Sequence, residues 1–397
     1  MITLDAARAL LLAGVAPLAA ERVALKDGPG RVLAEDLVAR FDQPALPLSA
    51  MDGYAVTMAD ADAGKRLTVV GDAYAGAPFA GTLSAGQAVR IATGGVVPLG
   101  ADRVVMQERV RREGDALVIE GPPGDASFVR PAGGDFRAGE VLIETGATLG
   151  AARLGLAAAA SVASLAVRRR PRVAIFASGD ELREPGEALG PGEVANSAAF
   201  ALAALVEQWG GIADRRAVLP DDQAAATTMI EAVEDADLIL FIGGASVGDR
   251  DVLRAVIADL GAAVLFDRIA VQPGKPSWHA RFPDGRLVLG LPGNPASAFV
   301  CAHLLLEPLL AALLGRASQC ALQPARLAIA LPGDNVREIW WRARLTIDSG
   351  GQRIVTPDPR RDSSLQRPLA EANALLRQPA GKGLQAGDSV EVMGLNS

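Results

Sequence analysis

The sequence offers little to build soft-metal chemistry from. Its 397 residues include two histidines and two cysteines, which all but excludes a Cys/His zinc cluster. Cys301 lies in an apolar run, and a lone pair of thiols implies no disulfide framework. Any resident metal is therefore expected to be a hard cation on carboxylate oxygens, with Mg²⁺ as the candidate. Basic excess is lacking too. Lys and Arg total 39 against 46 Asp and Glu, for a net charge of -7 and a pI near 5.1. Such a balance disfavours non-specific nucleic-acid binding, which rests on clustered cations. The longest nearly apolar stretch, residues 154–167, ends in Arg168-Arg169-Arg170. It is shorter than the ~20 residues of a membrane span. The N-terminus, Met1-Ile2-Thr3-Leu4-Asp5, lacks the basic head and apolar body of a secretory signal. No membrane span is expected, and the cytoplasm is the expected compartment.

What is present is a set of contrasting segments. A chain of this length exceeds one ordinary core, so two to four domains are expected. Residues 1 to about 40 read as helix, a Gly28-Pro29-Gly30 turn and a second helix, with Leu4, Ala7, Leu10 and Leu11 on one face. Residues 67–70, 88–92, 103–107 and 116–120 are short β-type runs between glycines, the pattern of a small barrel or sandwich. Residues 141–164 read as helical again, so the β region is expected to be an insertion. From Pro171 onwards, apolar strands alternate with helices. Runs such as Leu238-Ile239-Leu240-Phe241-Ile242 are apolar on both faces, which indicates a parallel α/β sheet. The tail returns to short strands with Gly, Asp and Pro turns. The expected architecture is multidomain α/β plus β. It comprises a discontinuous helical or linker domain (1–46 and 142–170), an inserted β domain (47–141), a three-layer α/β domain with a mostly parallel sheet (171–316) and a C-terminal β-barrel-like domain (317–397).

In open α/β sheets, ligands settle beyond the carboxyl ends of the strands. Three loops stand at such ends: Ser178-Gly179-Asp180-Glu181, the run from Gly243 and Gly244 through Ser246 to Gly248, and Pro292-Gly293-Asn294-Pro295. Glycines let backbone N–H groups approach an anion, and Ser246 adds a donor. The second loop is neither G-x-G-x-x-G nor a P-loop, and a tight strand-to-helix turn explains it equally well. Pro292 and Pro295 stiffen the third loop, which suits a pocket floor or simply a rigid helix entry. Asp180, Glu181, Asp221, Asp222, Asp249 and Asp251 gather near these loops. An acidic cluster receives a phosphate-bearing ligand only with cations beside it. Bound Mg²⁺ is one source; Arg268, and Lys275 held between Pro273 and Pro276, are the other. In the β region, Asp52-Gly53, Thr93-Gly94-Gly95 and Gly133-Gly134-Asp135 read as turns, Asp-Gly being a common hairpin signal.

Taken together, these strings resemble the molybdopterin molybdenumtransferase family, which includes bacterial MoeA and the C-terminal half of gephyrin. The matching segments include Ser49-Ala50-Met51-Asp52-Gly53-Tyr54-Ala55, Ala92-Thr93-Gly94-Gly95, Gly134-Asp135-Phe136-Arg137, Ser178-Gly179-Asp180-Glu181-Leu182 and Gly243-Gly244-Ala245-Ser246-Val247-Gly248. They continue through Pro273-Gly274-Lys275-Pro276 and Leu291-Pro292-Gly293-Asn294-Pro295 to Ala372-Asn373-Ala374. They stand in family order along nearly the whole chain. The resemblance implies an elongated homodimer whose cleft lies between the α/β domain of one subunit and the β insertion of the other. It implies insertion of molybdate into adenylylated molybdopterin, Mg-dependent, with release of AMP. The active-site positions it implies are Asp52, Thr93, Asp135, Glu181, Asp221, Asp251, Arg268 and Lys275. Ser178, Gly179, Asp180, Gly243, Gly244, Ser246, Gly248, Pro292, Gly293, Asn294, Pro295 and Ser363 would hold the pterin and its phosphates. Glu181, Asp221 and Asp251 would place Mg²⁺, while Arg268 and Lys275, with Thr93 of the partner subunit, would attract molybdate. A molybdopterin adenylyltransferase and recipient molybdoenzymes are the implied protein partners. The sequence departs from the family at Gln272, where many members have lysine, at Ala198, where asparagine is usual, and across residues 362–368. Two other readings stay open: a non-catalytic cofactor carrier or scaffold, and a molybdopterin adenylyltransferase.

Overall fold

The computed structural model describes residues 1–122, 124–220, 222–244 and 252–395, with Val252 described only as part of its helix. Its largest element is a six-stranded sheet in the order Ile212–Arg215, Arg172–Ala177, Leu238–Ile242, Leu287–Leu291, Trp278–Arg281, Ala263–Phe266. The first four strands are parallel, and the last two run antiparallel to their inner neighbours. Side chains on a strand alternate between faces, and here both faces are covered. Val173, Ile175, Leu240 and Leu289 pack with Leu202, Leu205, Leu305 and Leu309 of the helices on one side. Ala174, Phe176, Ile239 and Phe241 pack with Ile230, Val256 and Ile257 on the other. Double coverage is why the central runs 173–177, 238–242 and 287–291 carry no polar residue.

The helical stretch from Pro295 to Leu314 is 20 residues long and apolar enough to cross a membrane by length and composition, a run longer than the one singled out in the sequence. It is a core helix: 83% of its most apolar window is buried. Pro308 within it has no N–H for the Leu304 carbonyl, and Arg8 Nε donates to that carbonyl at 2.8 Å instead. A π-type turn at Ala302–Leu306 precedes the proline.

The N-terminal region holds one helix, not two. Leu4–Leu12 is capped by the Thr3 hydroxyl and buries Leu4, Ala7 and Leu11 against the α/β core. The second helix expected before residue 40 does not form. Leu37–Val38 instead pairs with Val141–Ile143, and Ala20–Ala24 pairs with Ser164–Arg168. Strand pairing with the returning chain has taken the place of the expected helix. Of residues 141–164, only Ala151–Ala159 is α-helical.

Between these ribbons lies a sheet in the order Arg103–Met106, Gly53–Val56, Gln87–Ile91, Arg66–Ala73, Ala116–Ile119, Val110–Glu113. Gly53 makes no hairpin here. It opens a buried strand so close to its neighbour that a Cβ would stand 2.1 Å from the Val105 carbonyl oxygen.

The C-terminal region is a closed five-stranded barrel in the order Glu338–Ile347, Arg353–Pro357, Leu322–Leu327, Ser389–Gly394, Ala374–Gln378, returning to the first strand. Leu327, Trp341, Val355, Leu376 and Val392 fill it. Val271–Gln272 adds to the barrel's edge beside Glu338 and Ile339. That pairing draws the Pro273-Gly274-Lys275-Pro276 loop to the seam between barrel and α/β sheet.

Candidate active site

The first and third expected loops and the described start of the second, Gly243 and Gly244, converge at the carboxyl end of the parallel strands and interlock through backbone. The Ser178 N–H donates to the Ile242 carbonyl at 3.0 Å, and the Gly243 N–H donates to the Leu291 carbonyl at 3.0 Å. Gly243 sits at φ +92, where a Cβ would meet the Ser178 oxygen at 2.8 Å. The Cβ of a side chain at Gly293 would lie 3.3 Å from the Gly243 Cα. The result is a floor of main chain beneath a cavity of about 620 Å³. Helices Ser197–Gln208 and Pro295–Cys301 begin at its wall. The positive ends of the two helix dipoles and the uncapped first turn of Ser197–Gln208 favour an anionic ligand there. Glu181 lines the same cavity, exposed and hard-oxygen bearing.

A second cavity of about 300 Å³ adjoins the first, sharing Pro276, Pro292 and Asn294, and it lies on the seam with the barrel. Its lining is basic: Lys275, Arg337, Arg342, Arg360 and Arg361, against the single carboxylate of Asp358. Arg342 is 7% exposed. It donates to the Leu365 carbonyl at 2.9 Å, to the Asp362 carbonyl at 3.0 Å and to the Arg360 carbonyl. Burial pulls its pKa below the ordinary arginine value, but an arginine remains a cation at neutral pH. Arg360 lies 2.6 Å from Asp358 and 2.8 Å from Glu371, and its hydrogen bonds hold the Asp358 carboxyl below the usual carboxylate range. Segment 358–366 bridges the two cavities. The Ser363 hydroxyl accepts from Asn294 Nδ2 at 2.8 Å, the Ser363 carbonyl accepts from the Ala296 N–H at 3.1 Å, and Gln366 Nε2 donates to Ser197 Oγ at 2.7 Å.

Of the residues expected at the site, Ser178, Glu181, Gly243, Gly244, Gly293 and Pro295 line the larger cavity, Lys275 and Ser363 the smaller, and Pro292 and Asn294 both. Gly179 and Asp180 form the adjoining turn but line neither. Arg268 also lines neither: its carbonyl accepts from the Ile2 N–H and its guanidinium faces Asp267 at 3.6 Å. Asp52, Thr93 and Asp135 lie in the N-terminal half and line neither cavity. Asp52 Oδ1 accepts from the Thr93 N–H at 2.7 Å, and bonds from Thr93 lower the Asp52 pKa. Asp135 stands exposed on a turn whose N–H donates to the Gln43 carbonyl. Asp221, Ser246, Gly248 and Asp251 fall outside the described residues. Among the described residues no group of three or more His, Cys, Asp or Glu side chains could hold a metal ion. Arg337, Arg342, Arg360, Arg361 and Gln366 were not anticipated. The Arg360-Arg361 pair was the one local hint, but no spacing connects it to Lys275. The departures fall on the linings too: Gln272 on the basic cavity, Ala198 on the larger one.

Residues 2–161 match the MoeA N-terminal region (domain I and II), residues 174–312 a probable molybdopterin binding domain, and residues 324–395 the MoeA C-terminal region (domain IV). The chain belongs to the MoeA family. A molybdopterin molybdenumtransferase of Nostoc is 36% identical over 92% of this chain and 86% of its own length. The Haemophilus influenzae protein of the same name is 36% identical over 80% of this chain and 78% of its own. A solved MoeA molybdopterin biosynthesis protein of Pyrococcus horikoshii superposes with a TM-score of 0.86 at 29% identity, covering 100% of both chains.

Proposed function

We propose that the chain is a molybdopterin molybdenumtransferase acting in molybdenum cofactor biosynthesis, inserting molybdate into adenylylated molybdopterin and releasing AMP. One observation carries the reading. A cavity floored by backbone and helix starts opens directly onto a basic cavity, with Pro292 and Asn294 common to both. The larger receives the pterin and its phosphates through N–H donors. The smaller receives the oxyanion, with Lys275 taking the role expected of it and the barrel arginines supplying the cations that Arg268 does not bring. Ser363, bonded to Asn294, stands at the junction where the dithiolene sulfurs would meet molybdate. The sulfurs displace oxo groups of the metal, and water cleaves the phosphoanhydride to free AMP. No side-chain nucleophile is needed.

The exposed carboxylate of Glu181 at the phosphate cradle fits a hard cation, and Mg²⁺ on Glu181 with Asp221 and Asp251 is part of the proposal. When bound, it supplies charge neutralisation at the phosphoanhydride. In a homodimer, the partner subunit would close the cleft with its own Asp52–Thr93 pair and its Asp135 turn. Thr93 keeps Asp52 ionised and fixed, as a positioned carboxylate requires.

Purified protein supplied with adenylylated molybdopterin, molybdate and Mg²⁺ tests this. AMP release that requires molybdate, with a higher molybdate requirement in Lys275→Ala, is the expected result. Binding without turnover would indicate a carrier, and pyrophosphate release from ATP an adenylyltransferase.

A further inference from the structure

Five cationic side chains line the smaller cavity, and they are not equivalent. Arg342 is engaged by three backbone carbonyls of segment 360–365 and so shapes the wall. Arg360 is neutralised between Asp358 and Glu371. Arg337 donates to the Val271 carbonyl at 3.1 Å, holding the edge strand to the barrel. Gln272 brings no charge. Among the described residues, Lys275 and Arg361 are the lining cations whose charged groups are held by neither a carboxylate nor a backbone carbonyl.

Arg361 is held in another way. Its guanidinium carbon lies 4.4 Å from the centroid of the Trp341 ring. That ring is a fixed platform: Trp341 is 7% exposed, and its Nε1 donates to Gln378 Oε1 at 2.9 Å. Stacking uses the face of a guanidinium and leaves its in-plane N–H donors open. A tetrahedral oxyanion carries its acceptors on separate corners, which an ammonium and a guanidinium fork can meet from two sides.

We infer that Arg361, stacked on Trp341, is the second cation of the oxyanion cavity and the residue that makes it select a dianion over a monoanion of the same shape. The inference rests on the reading that the smaller cavity receives the oxyanion. Lys275 supplies one cation with its donors uncommitted, and Arg361 supplies the second where Gln272 supplies none.

Calorimetric titration of the full-length protein with molybdate, a dianion, and with perrhenate, a tetrahedral monoanion, tests it. Loss of one charge-assisted contact at a part-exposed site corresponds to roughly tenfold in affinity. Arg361→Ala is expected to weaken molybdate about tenfold and perrhenate about two- to threefold, collapsing the preference between them. Arg361→Lys, which keeps the charge, is expected to restore most of that preference. A purely structural arginine would weaken both anions alike and gain nothing from lysine. If Arg361→Ala binds molybdate like wild type while Lys275→Ala does not, Arg361 is not the second cation, although the cavity still takes the oxyanion. If neither substitution changes molybdate binding, the oxyanion binds elsewhere and both proposals fall.

Discussion

Glu307 is the residue whose loss the structure prices most clearly. Its side chain is 0% exposed, and that of Arg316 is 4% exposed. The carboxylate accepts from Arg316 Nη1 at 2.8 Å, from the Gln319 N–H at 2.9 Å and from the Ser318 hydroxyl. This cluster ties the end of the long core helix to the linker entering the barrel. Glu307→Ala leaves a buried guanidinium, a hydroxyl and an N–H without their acceptor. Breaking a buried pair from one side costs about 3–5 kcal/mol. Arg316 keeps the Ala317 carbonyl at 2.9 Å and the Trp209 carbonyl at 3.2 Å, which places the cost near the lower end, at about 3 kcal/mol. For a cooperative unit of 150–250 residues that is a fall of roughly 6–12 °C in Tm. Differential scanning calorimetry reads it directly. The double change Glu307→Leu with Arg316→Met removes both charges and is expected to recover most of the loss, because an apolar pair can replace a buried ion pair at little cost. A shift in the alanine variant equivalent to less than about 1 kcal/mol, or no recovery in the double variant, would refute the reasoning.

Three further outcomes follow from the geometry. Gly243→Ala forces a Cβ to 2.8 Å from the Ser178 oxygen at φ +92. It is expected to weaken AMP binding at least tenfold, whereas Gly285→Ala, at φ +95 with open space around it, leaves binding unchanged. His279 is buried, donates Nδ1–H to the Val288 carbonyl at 2.7 Å and has no partner for Nε2; burial depresses its pKa to about 4. The unfolded chain binds this proton first, so the neutral ring's contribution is complete above about pH 6.5 and is lost as pH falls toward 4. The loss is on the order of 3 kcal/mol. Urea titrations across that window are expected to show a shallower slope for His279→Leu, and an unchanged slope would count against a neutral buried imidazole. Coexpressing Asp52→Asn with Lys275→Ala is expected to regain, at limiting molybdate, activity that neither homodimer shows there, since one cleft of the mixed dimer carries neither change. No regain would mean the two residues serve the same subunit's cleft.

The α/β sheet was legible because burial on both faces leaves runs such as 238–242 without a polar residue, and the loops at its carboxyl edge could be named from their glycines and prolines. Other features lay beyond local pattern. Residues 31–40 read as a second helix after the Gly28-Pro29-Gly30 turn, yet Leu37–Val38 pairs with a strand more than 100 positions later. Asp52-Gly53 looked like a turn because the close approach of Val105, which demands the glycine, is a tertiary fact. Arg268 is near Lys275 in sequence and far from it in role, because the Ile2 N–H ties residue 268 to the N-terminal segment. Barrel closure brings Arg342, Arg360 and Arg361 to a lysine some 70 to 90 positions earlier. Only the closed barrel could assemble that basic wall.

The account stands on where the oxyanion sits. Crystals soaked in molybdate and measured at the molybdenum absorption edge are expected to show an anomalous peak in the smaller cavity, within hydrogen-bond reach of Lys275 Nζ. A peak beside Arg268, or none between the Pro273–Pro276 loop and the barrel arginines, would contradict it.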